Sequence, residues 1–227
     1  MSSPTLAPSL PTTLKTDRLI LRLLDPDSES DCQEFVGLYE RYITRKVGPI
    51  PNVPTVQDIR LKHERTRPKA ELCTLASPPR GMIHFIYLQA FENDGHNTSD
   101  SGPLVGHVLL SFRDEMPFPD LGYSILEAHE GRGYVSEAGR ECLHFWHDEV
   151  GVKEICIATA VENNTAKRMG FEEGGQFTVV NGHPPNEEVE KAKAFVLPGM
   201  NWPDGPEVTL QRPARRQEAQ LDSDKPL

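Results

Sequence analysis

The sequence predicts an α/β fold in which helices flank a mixed, mostly antiparallel sheet. Segments rich in β-branched residues alternate with segments of helical periodicity, and 227 residues suffice for one domain with a hydrophobic core. Residues 122–159 are predicted as strand, helix and strand, which implies a right-handed crossover and a parallel pair at the centre of the sheet. A predicted hairpin before this unit supplies antiparallel neighbours.

The N-terminal half begins with an apolar strand that ends at Asp25-Pro26. A helix follows, because apolar residues recur there at near-helical spacing, and the prolines between residues 49 and 54 then exclude regular structure. The predicted elements of this half are a strand over 19–24, a helix over 31–42, a polar helix over 56–65, and the hairpin strands 82–91 and 104–112.

The C-terminal half contains the strand–helix–strand unit and the last strands. On its long helix Val135, Ala138, Cys142 and Phe145 lie three or four residues apart, which gives one buried stripe. Residues 1–12 and 212–227 are predicted to be disordered tails, so that the domain spans residues 13–211. The predicted elements of this half are a strand over 122–126, a helix over 134–148, and strands over 154–159, 171–180 and 208–211.

Charge and cysteine content exclude several classes of protein. The chain carries 24 basic and 34 acidic side chains, a net charge of −10, which argues against a nucleic-acid partner and mildly favours an amine-bearing substrate.

No apolar run approaches the ~20 residues that span a bilayer, and the chain start lacks the features of a signal peptide. We therefore expect a cytoplasmic, or nuclear, protein with no membrane partner. The scattered cysteines predict neither a zinc site nor a disulfide framework, and Cys142 and Cys156 are expected in the core.

The most informative segment is Gly131-Arg132-Gly133, which lies between a predicted strand and a predicted helix. Glycines let the backbone approach a ligand closely, and the exposed N–H groups of the first helical turn attract anions. Arg132 adds a permanent cation that can bind a phosphate through two hydrogen bonds. No Lys-Ser or Lys-Thr follows the glycines, which excludes a P-loop, and Gly139 falls too far along the helix for a dinucleotide-binding turn.

This segment resembles the acetyl-CoA pyrophosphate loop of the GNAT N-acetyltransferases, in the branch of ribosomal-protein acetyltransferases. Gly122-Tyr123 followed by residues 130–138, EGRGYVSEA, is similar to that branch's "GY" strand and "WGKGYATEA" loop. Residues 16–22, TDRLILR, are similar to its opening strand, and residues 161–171 are similar to its "PEN…LGF" region. The resemblance covers residues 14–180.

The resemblance implies the GNAT fold, in which the parallel pair splays apart and the pantetheine arm of acetyl-CoA lies between the two strands. Under this resemblance the pyrophosphate binds at the loop and the first helical turn, and the arm pairs with backbone groups of the preceding strand. An asparagine at the end of the next strand contacts the arm. The cofactor-binding residues that the resemblance implies are Ser124, Ile125, Leu126, Gly131, Arg132, Gly133, Tyr134, Val135, Ser136, Asn163 and Asn164.

Transfer of an acetyl group to an amine requires a general base that deprotonates the amine, and no single residue of the sequence stands out for this role. Asp114, Glu115 and Asp120 lie near the expected cleft, with His107 on the preceding strand. Glu115 is preferred, because the rigid and partly apolar residues 116–119 beside it could raise the pKa of its carboxyl. A chain of water molecules in place of one dedicated base is equally consistent with the sequence.

The acid that protonates the leaving thiolate is also open. In members of the family the Asn of the "PEN" motif lies about eleven residues before the Gly of the "LGF" motif. Here the step from Asn163 to Gly170 is only seven residues, shorter by roughly one helical turn. That helix often carries a Tyr or Ser near the thiol, whereas Thr165 is the only hydroxyl in the shortened segment. Thr165 is therefore the candidate here, with another group, water, or impaired activity as the alternatives.

Two functions follow from these observations. The leading hypothesis is an acetyl-CoA-dependent N-acetyltransferase that acts on an amine of a small molecule or of a protein N-terminus, as a monomer or homodimer. The alternative is a non-catalytic acyl-CoA-binding or interaction protein that keeps the fold, and the shortened segment favours it. No metal is expected, because His144 and His147 lie three apart on the long helix without an acidic or cysteine partner.

Overall fold

The computed structural model describes residues 10–47, 53–64, 81–89, 101–112, 116–159, 163–181, 188–203 and 209–212. The strands of this part are β1 (Thr13–Lys15), β2 (Leu19–Leu23), β3 (Gly81–Gln89), β4 (Ser101–Ser111), β5 (Asp120–Ile125), β6 (Cys156–Thr159), β7 (Glu172–Asn181), β8 (Glu188–Val196) and β9 (Thr209–Arg212). Its helices are α1 (Glu29–Val47), α2 (Val56–Glu64), α3 (Tyr134–His144) and α4 (Asn164–Arg168). A short 3-10 turn covers Glu127–His129, and a wider π-helical turn, Phe145–Glu149, extends α3.

The strands form one mixed sheet in the order β1-β2-β3-β4-β5-β6-β8-β7-β9. Neighbours are antiparallel except at two places, β5 beside β6 at the centre and β7 beside β9 at the edge. The predicted mixed, mostly antiparallel sheet with a central parallel pair is therefore confirmed. The second parallel pair is an addition, which arises because β9 returns along the outer edge of β7 in the same direction.

The sequence did not predict β1 and β8. Charged and apolar residues alternate over Glu188–Glu190 and again over Lys191–Ala194, so β8 contains no apolar run by which the strand could have been found. In the structure Ala192, Ala194 and Val196 point to one buried face, so the period-two pattern is present. The charged positions between them find partners on β7, where Lys193 Nζ lies 3.1 Å from Glu173 Oε2. Strand β8 enters the sheet between β6 and β7.

The hydrophobic core lies on both faces of the sheet. On one face α3 and its extension bury three of the four predicted stripe residues, Ala138, Cys142 and Phe145, together with Trp146, whereas the fourth, Val135, is only half-buried. On the other face α1 and α2 bury a second cluster around Leu38. Consecutive residues of β3 contribute to opposite clusters, which is the alternation expected of a strand covered on both sides. Cys142 and Cys156 are both fully buried, as expected of core residues.

A close approach between helices fixes the position of α4. Gly139 of α3 has no Cβ, and a Cβ built there would collide with the side chain of Met169, just after α4. The short helix α4 begins at its cap Asn163, whose side chain accepts a hydrogen bond from Ala166 N–H. The absence of a side chain at Gly139 therefore lets the five-residue helix pack against α3.

The chain ends are described only in part. Leu10 packs against the main core, and Thr12 O accepts a hydrogen bond from Leu23 N–H at 2.8 Å, so the described fold starts before residue 13. Residues 1–9 and 213–227 of the predicted tails, and most of the segment between the two predicted hairpin strands, lie outside the described residues. In the described part, no helix combines the length and the apolar character needed to cross a bilayer.

Candidate active site

The parallel strands β5 and β6 form a fork near the centre of the sheet. Their register contains a single pair, Asp120 opposite Cys156, and Cys156 N–H donates to Pro119 O at 2.9 Å. The next donor on β6, Ala158 N–H, bonds to the Asp120 carboxylate at 3.1 Å instead of to a backbone carbonyl of β5. The buried Asp120 side chain thus completes the pairing at the point where the strands diverge.

The backbone of β5 beyond the fork turns alternately to its two neighbours. Leu126 N–H donates to Val105 O at 2.8 Å, and the register places Ser124 opposite His107. Because antiparallel bonds alternate along a strand, the peptide groups of Ser124 and Leu126 face β4. Those of Tyr123 and Ile125 consequently face the open side, towards β6.

The loop after β5 prepares the start of α3 for an anion. Gly131 has φ +73° and Gly133 φ +80°, a left-handed conformation that favours glycine. Gly133 is the N-cap of α3, and no described side chain caps the helix there. The first N–H groups of a helix have no intrahelical partner, so this turn can offer donors and the positive end of the helix dipole to a phosphate.

Arg18, in the turn between β1 and β2, holds this loop in place. Its Nε and Nη2 both bind Glu137 Oε2, at 2.8 and 2.5 Å, and its Nη1 donates to Arg132 O at 3.2 Å. The guanidinium also lies over the Tyr134 ring, 4.7 Å from its centroid. Burial alone would raise the pKa of Glu137, but hydrogen bonds from Thr16 and Arg18 outweigh it and lower that pKa. No local pattern in the sequence indicates this contact, because its two residues lie 119 positions apart.

A second ion pair joins the loop to α1. Arg45, near the C-terminal end of α1, binds Glu130 through two parallel hydrogen bonds of 2.6 and 2.9 Å. Glu130 directly precedes Gly131, and Tyr42 of α1 faces the same space. Helix α1 therefore lies beside the loop and closes one side of it.

A cavity of about 320 Å³ joins the loop, the fork and the start of α4. Side chains of β5, backbone of the loop and residues of α1 and α4 enclose it, so it runs from the anion-binding turn to the divergent strands. The residues that line it are Tyr42, Tyr123, Ile125, His129, Glu130, Gly131, Gly133, Tyr134, Val135, Ser136, Thr165 and Arg168.

The structure brings most of the sequence-predicted residues together. Of the implied cofactor set, six line this cavity, and so does the acid candidate Thr165; the six are Ile125, Gly131, Gly133, Tyr134, Val135 and Ser136. Arg132 is exposed between the two glycines, and Asn163 and Asn164 form the start of α4. The preferred base Glu115 and its alternative Asp114 lie outside the described residues.

Ser124 and His107 form a buried pair on the other face of the sheet. Ser124 Oγ lies 2.8 Å from His107 Nδ1, and the His107 ring packs edge-on against Phe35 of α1. Burial lowers the pKa of His107 to about 4, so its imidazole is neutral at neutral pH. His107, one of the base candidates, is therefore buried and neutral, on the face of the sheet that α1 covers.

Tyr123 is a site residue to which the sequence analysis gave no role of its own. Its hydroxyl donates to Asn163 Oδ1 at 2.6 Å and so connects β5 with the start of α4 across the fork. The alternation of β5 gives the signal that could have found it, because Tyr123 and the cofactor candidate Ile125 share one face of the strand. The partner Asn163 could not have been identified in this way.

The two histidines of the long helix share one carboxylate. His144 Nδ1 and His147 Nδ1 each lie 2.6 Å from an oxygen of Asp148, and the hydrogen bond to Asp148 raises the pKa of His144. The two histidines therefore do have an acidic partner, contrary to the expectation from the sequence, although across the described ranges no group of three His, Cys, Asp or Glu side chains is arranged to hold a metal.

Comparison with known proteins identifies the family. The model of the GNAT acetyltransferase domain matches residues 18–172, whereas no curated protein matches the chain. Among solved structures, the microcin C7 self-immunity acetyltransferase MccE, in complex with acetyl-CoA and AMP, is 17% identical with a TM-score of 0.55, covering 82% of this chain and 96% of its own. RimL, the ribosomal L7/L12 alpha-N-protein acetyltransferase, in complex with coenzyme A, is 13% identical with a TM-score of 0.52, covering 80% and 94%.

A third solved structure is a chimera of the spermidine N-acetyltransferase SpeG from Vibrio cholerae and hSSAT. It is 15% identical with a TM-score of 0.52, covering 79% of this chain and 94% of its own. At such identities these likenesses show the fold, and the family model shows the relationship. The chain belongs to the GNAT acetyltransferase family and is an acetyl-CoA-dependent N-acetyltransferase, as the resemblance of its loop implied.

Proposed function

We propose that this enzyme binds acetyl-CoA along the cavity between the glycine loop and the fork, and transfers the acetyl group to a cationic amine. The single observation that supports this pose is the continuity of the cavity, which joins an anion-binding turn to an open strand edge. In acetyl-CoA the pyrophosphate and the thioester lie at opposite ends of the pantetheine arm, so a site for the cofactor needs both features in one space.

In this pose the phosphates lie on the first turn of α3. The N–H groups of Tyr134, Val135 and Ser136 would supply donors, and Arg132 would add a charge-assisted hydrogen bond. Gly131 and Gly133 keep side chains out of the approach. The pantetheine arm would then follow the open edge of β5, where the peptide groups of Ile125 face away from β4.

At the fork the thioester would lie close to Asn163 and Thr165, at the start of α4. Transfer needs the amine deprotonated, the carbonyl polarised and the leaving thiolate protonated. We propose Glu115 as the base, as the sequence suggests, with Asp120 as the alternative at the fork. Comparison of Glu115→Gln with Asp120→Asn separates the two, because only loss of the base should reduce kcat at saturating acetyl-CoA.

The net charge of the chain bears on the class of acceptor. A net charge of −10 favours a cationic amine over an anionic acceptor. The similar folds named above include a spermidine acetyltransferase and an enzyme that acts on the N-terminus of a ribosomal protein, and the acceptor of each is an amine. We propose a polyamine-like small molecule or a protein N-terminus as the acceptor, and a cytoplasmic enzyme that is a monomer or homodimer.

Calorimetric titration followed by an amine screen tests this function. Acetyl-CoA should bind with a stoichiometry of one per chain, and the screen should release free CoA with at least one cationic amine or peptide. Gly133→Val, which blocks the loop, serves as the negative control for both measurements. Binding without CoA release across the screen would favour the non-catalytic acyl-CoA-binding alternative.

A further inference from the structure

The hydroxyl of Tyr123 lies where the fork meets the start of α4. Tyr123 belongs to the forked strand β5 and lines the cavity together with Ile125 and Thr165. Its oxygen is 2.6 Å from Asn163 Oδ1, which also accepts Ala166 N–H at 3.0 Å. The phenol is therefore oriented by an atom that the cap of α4 itself fixes in place.

We propose that Tyr123 donates the proton to the thiolate of coenzyme A as that thiolate leaves. The inference rests on the proposed function, because it requires the thioester to lie at the fork. Tyr123 would then be a catalytic residue, and its bond to Asn163 would orient the hydroxyl before the cofactor arrives.

The protonation state of Tyr123 suits a proton donor. Burial is the main cause that raises the pKa of Tyr123 above its usual value, so the phenol keeps its proton throughout the neutral range. The neighbouring Tyr134 is engaged differently, because its ring lies under the Arg18 guanidinium beside the phosphate loop. Thr165 also lines the cavity, but an aliphatic hydroxyl is a much weaker acid than a phenol.

The proposed step balances without a further reagent. The amine nitrogen attacks the thioester carbon, and the C–S bond breaks with its electron pair on sulfur. The phenolic proton of Tyr123 moves to that sulfur and gives the free thiol of coenzyme A. Afterwards the base releases to the solvent the proton that it took from the amine, and the phenolate of Tyr123 takes up one proton from the solvent, so both groups return to their starting states.

The first test is Tyr123→Phe, with Tyr39→Phe as the matched control. Tyr39 is a half-buried phenol of α1 that packs on Phe35 and is not among the residues that line the cavity. In an amine assay that the wild type supports, Tyr123→Phe should lower kcat by roughly 100-fold or more, the range of general acid catalysis. The Kd for acetyl-CoA should stay within about threefold of the wild-type value, well below the tenfold change that 1.4 kcal/mol produces.

The second test replaces Tyr123 by a fluorinated tyrosine, which keeps the hydroxyl but lowers the pKa of the phenol. The alkaline limb of the kcat–pH profile should then move to lower pH, an effect that a purely structural hydroxyl would not produce. This variant also decides the question if Tyr123→Phe does not fold.

An unmoved alkaline limb, or a folded Tyr123→Phe enzyme with wild-type kcat, would overturn the assignment while the proposed function stands. A wild-type protein that binds acetyl-CoA but releases no CoA with any amine would overturn the proposed function and this assignment together.

Discussion

Replacing Gly133 by alanine tests the anion site at the start of α3. Gly133 has φ +80°, and a residue with a side chain pays about 1–2 kcal/mol for that left-handed conformation. In the described part, the nearest atom to an added Cβ beyond the chain neighbours is Arg18 Nη2, at 3.7 Å. The cost of the substitution is therefore a cost of backbone conformation and not of a collision.

Gly151 offers a matched control for the same backbone effect. It has φ +87°, lies in the turn after α3, and has no described atom within 4 Å of an added Cβ. Gly133→Ala and Gly151→Ala should each lower the free energy of unfolding by about 1–2 kcal/mol. Only Gly133→Ala should also weaken acetyl-CoA, because relaxing φ at the cap reorients the first N–H groups of α3. Loss of one hydrogen bond to a charged phosphate, about 1.5–3 kcal/mol, weakens binding roughly ten- to hundredfold.

Denaturant unfolding and calorimetric titration of the two variants measure these quantities separately. An unchanged Kd for acetyl-CoA in folded Gly133→Ala would refute the assignment of the loop to the phosphates. An equal loss of affinity in Gly151→Ala would show that the effect is one of global stability and would refute the reasoning as well.

Three further predictions concern charge, acid stability and packing. Arg132→Ala should weaken acetyl-CoA by roughly 1–3 kcal/mol but leave S-acetylpantetheine, which lacks the phosphates, unaffected in calorimetry; equal losses would make Arg132 a mere surface residue. Burial lowers the pKa of His84 and of His107 from 6.5 to about 4, so stability is complete above pH 6.5 and falls as the pH drops towards 4, by up to roughly 3 kcal/mol per histidine. Denaturant unfolding at pH 7, 5.5 and 4.5 checks this, and a flat profile would contradict it. Gly139→Ala should destabilise the fold by about 1–3 kcal/mol through its collision with Met169. In a double-mutant cycle by denaturant unfolding, Gly139→Ala should cost less stability in a Met169→Ala background than in the wild type, and an equal cost in both would place the collision elsewhere.

The fold was predictable because its strands and helices carry local periodicity. The strand–helix–strand unit follows from apolar spacing within a few residues, and chirality then fixes the parallel pair. Strand β8 was not predicted, because its charged residues Lys191 and Lys193 are stabilised by side chains of β7, and only the register of the two strands reveals these partners. An apolar run was the wrong criterion for a strand whose buried face is made mostly of alanine.

The candidate site was predictable where its chemistry is contiguous in sequence. Gly131 and Gly133 are typical of a tight turn with positive φ before a helix, so the turn and the start of the helix could be predicted directly from the sequence. Contacts between distant elements could not be, because they depend on how strands and helices pack. The bond from Tyr123 to Asn163 and the ion pair from Arg18 to Glu137 are of this kind. The sequence between Asn163 and Gly170 therefore gives no sign that the proposed acid, Tyr123, lies on β5.

The fork at Asp120 gives the sheet an edge in its interior. Edge strands expose unpaired N–H and C=O groups and attract strands of other molecules, which proteins usually prevent at their rims. Here the divergent part of β5 is flanked by the two halves of one continuous sheet, so its open edge faces the interior of the sheet and not its rim. In the proposed pose the amides of the pantetheine arm would complete the pairing at this edge. By giving Ala158 N–H a carboxylate partner, Asp120 keeps this edge open without leaving that donor unsatisfied.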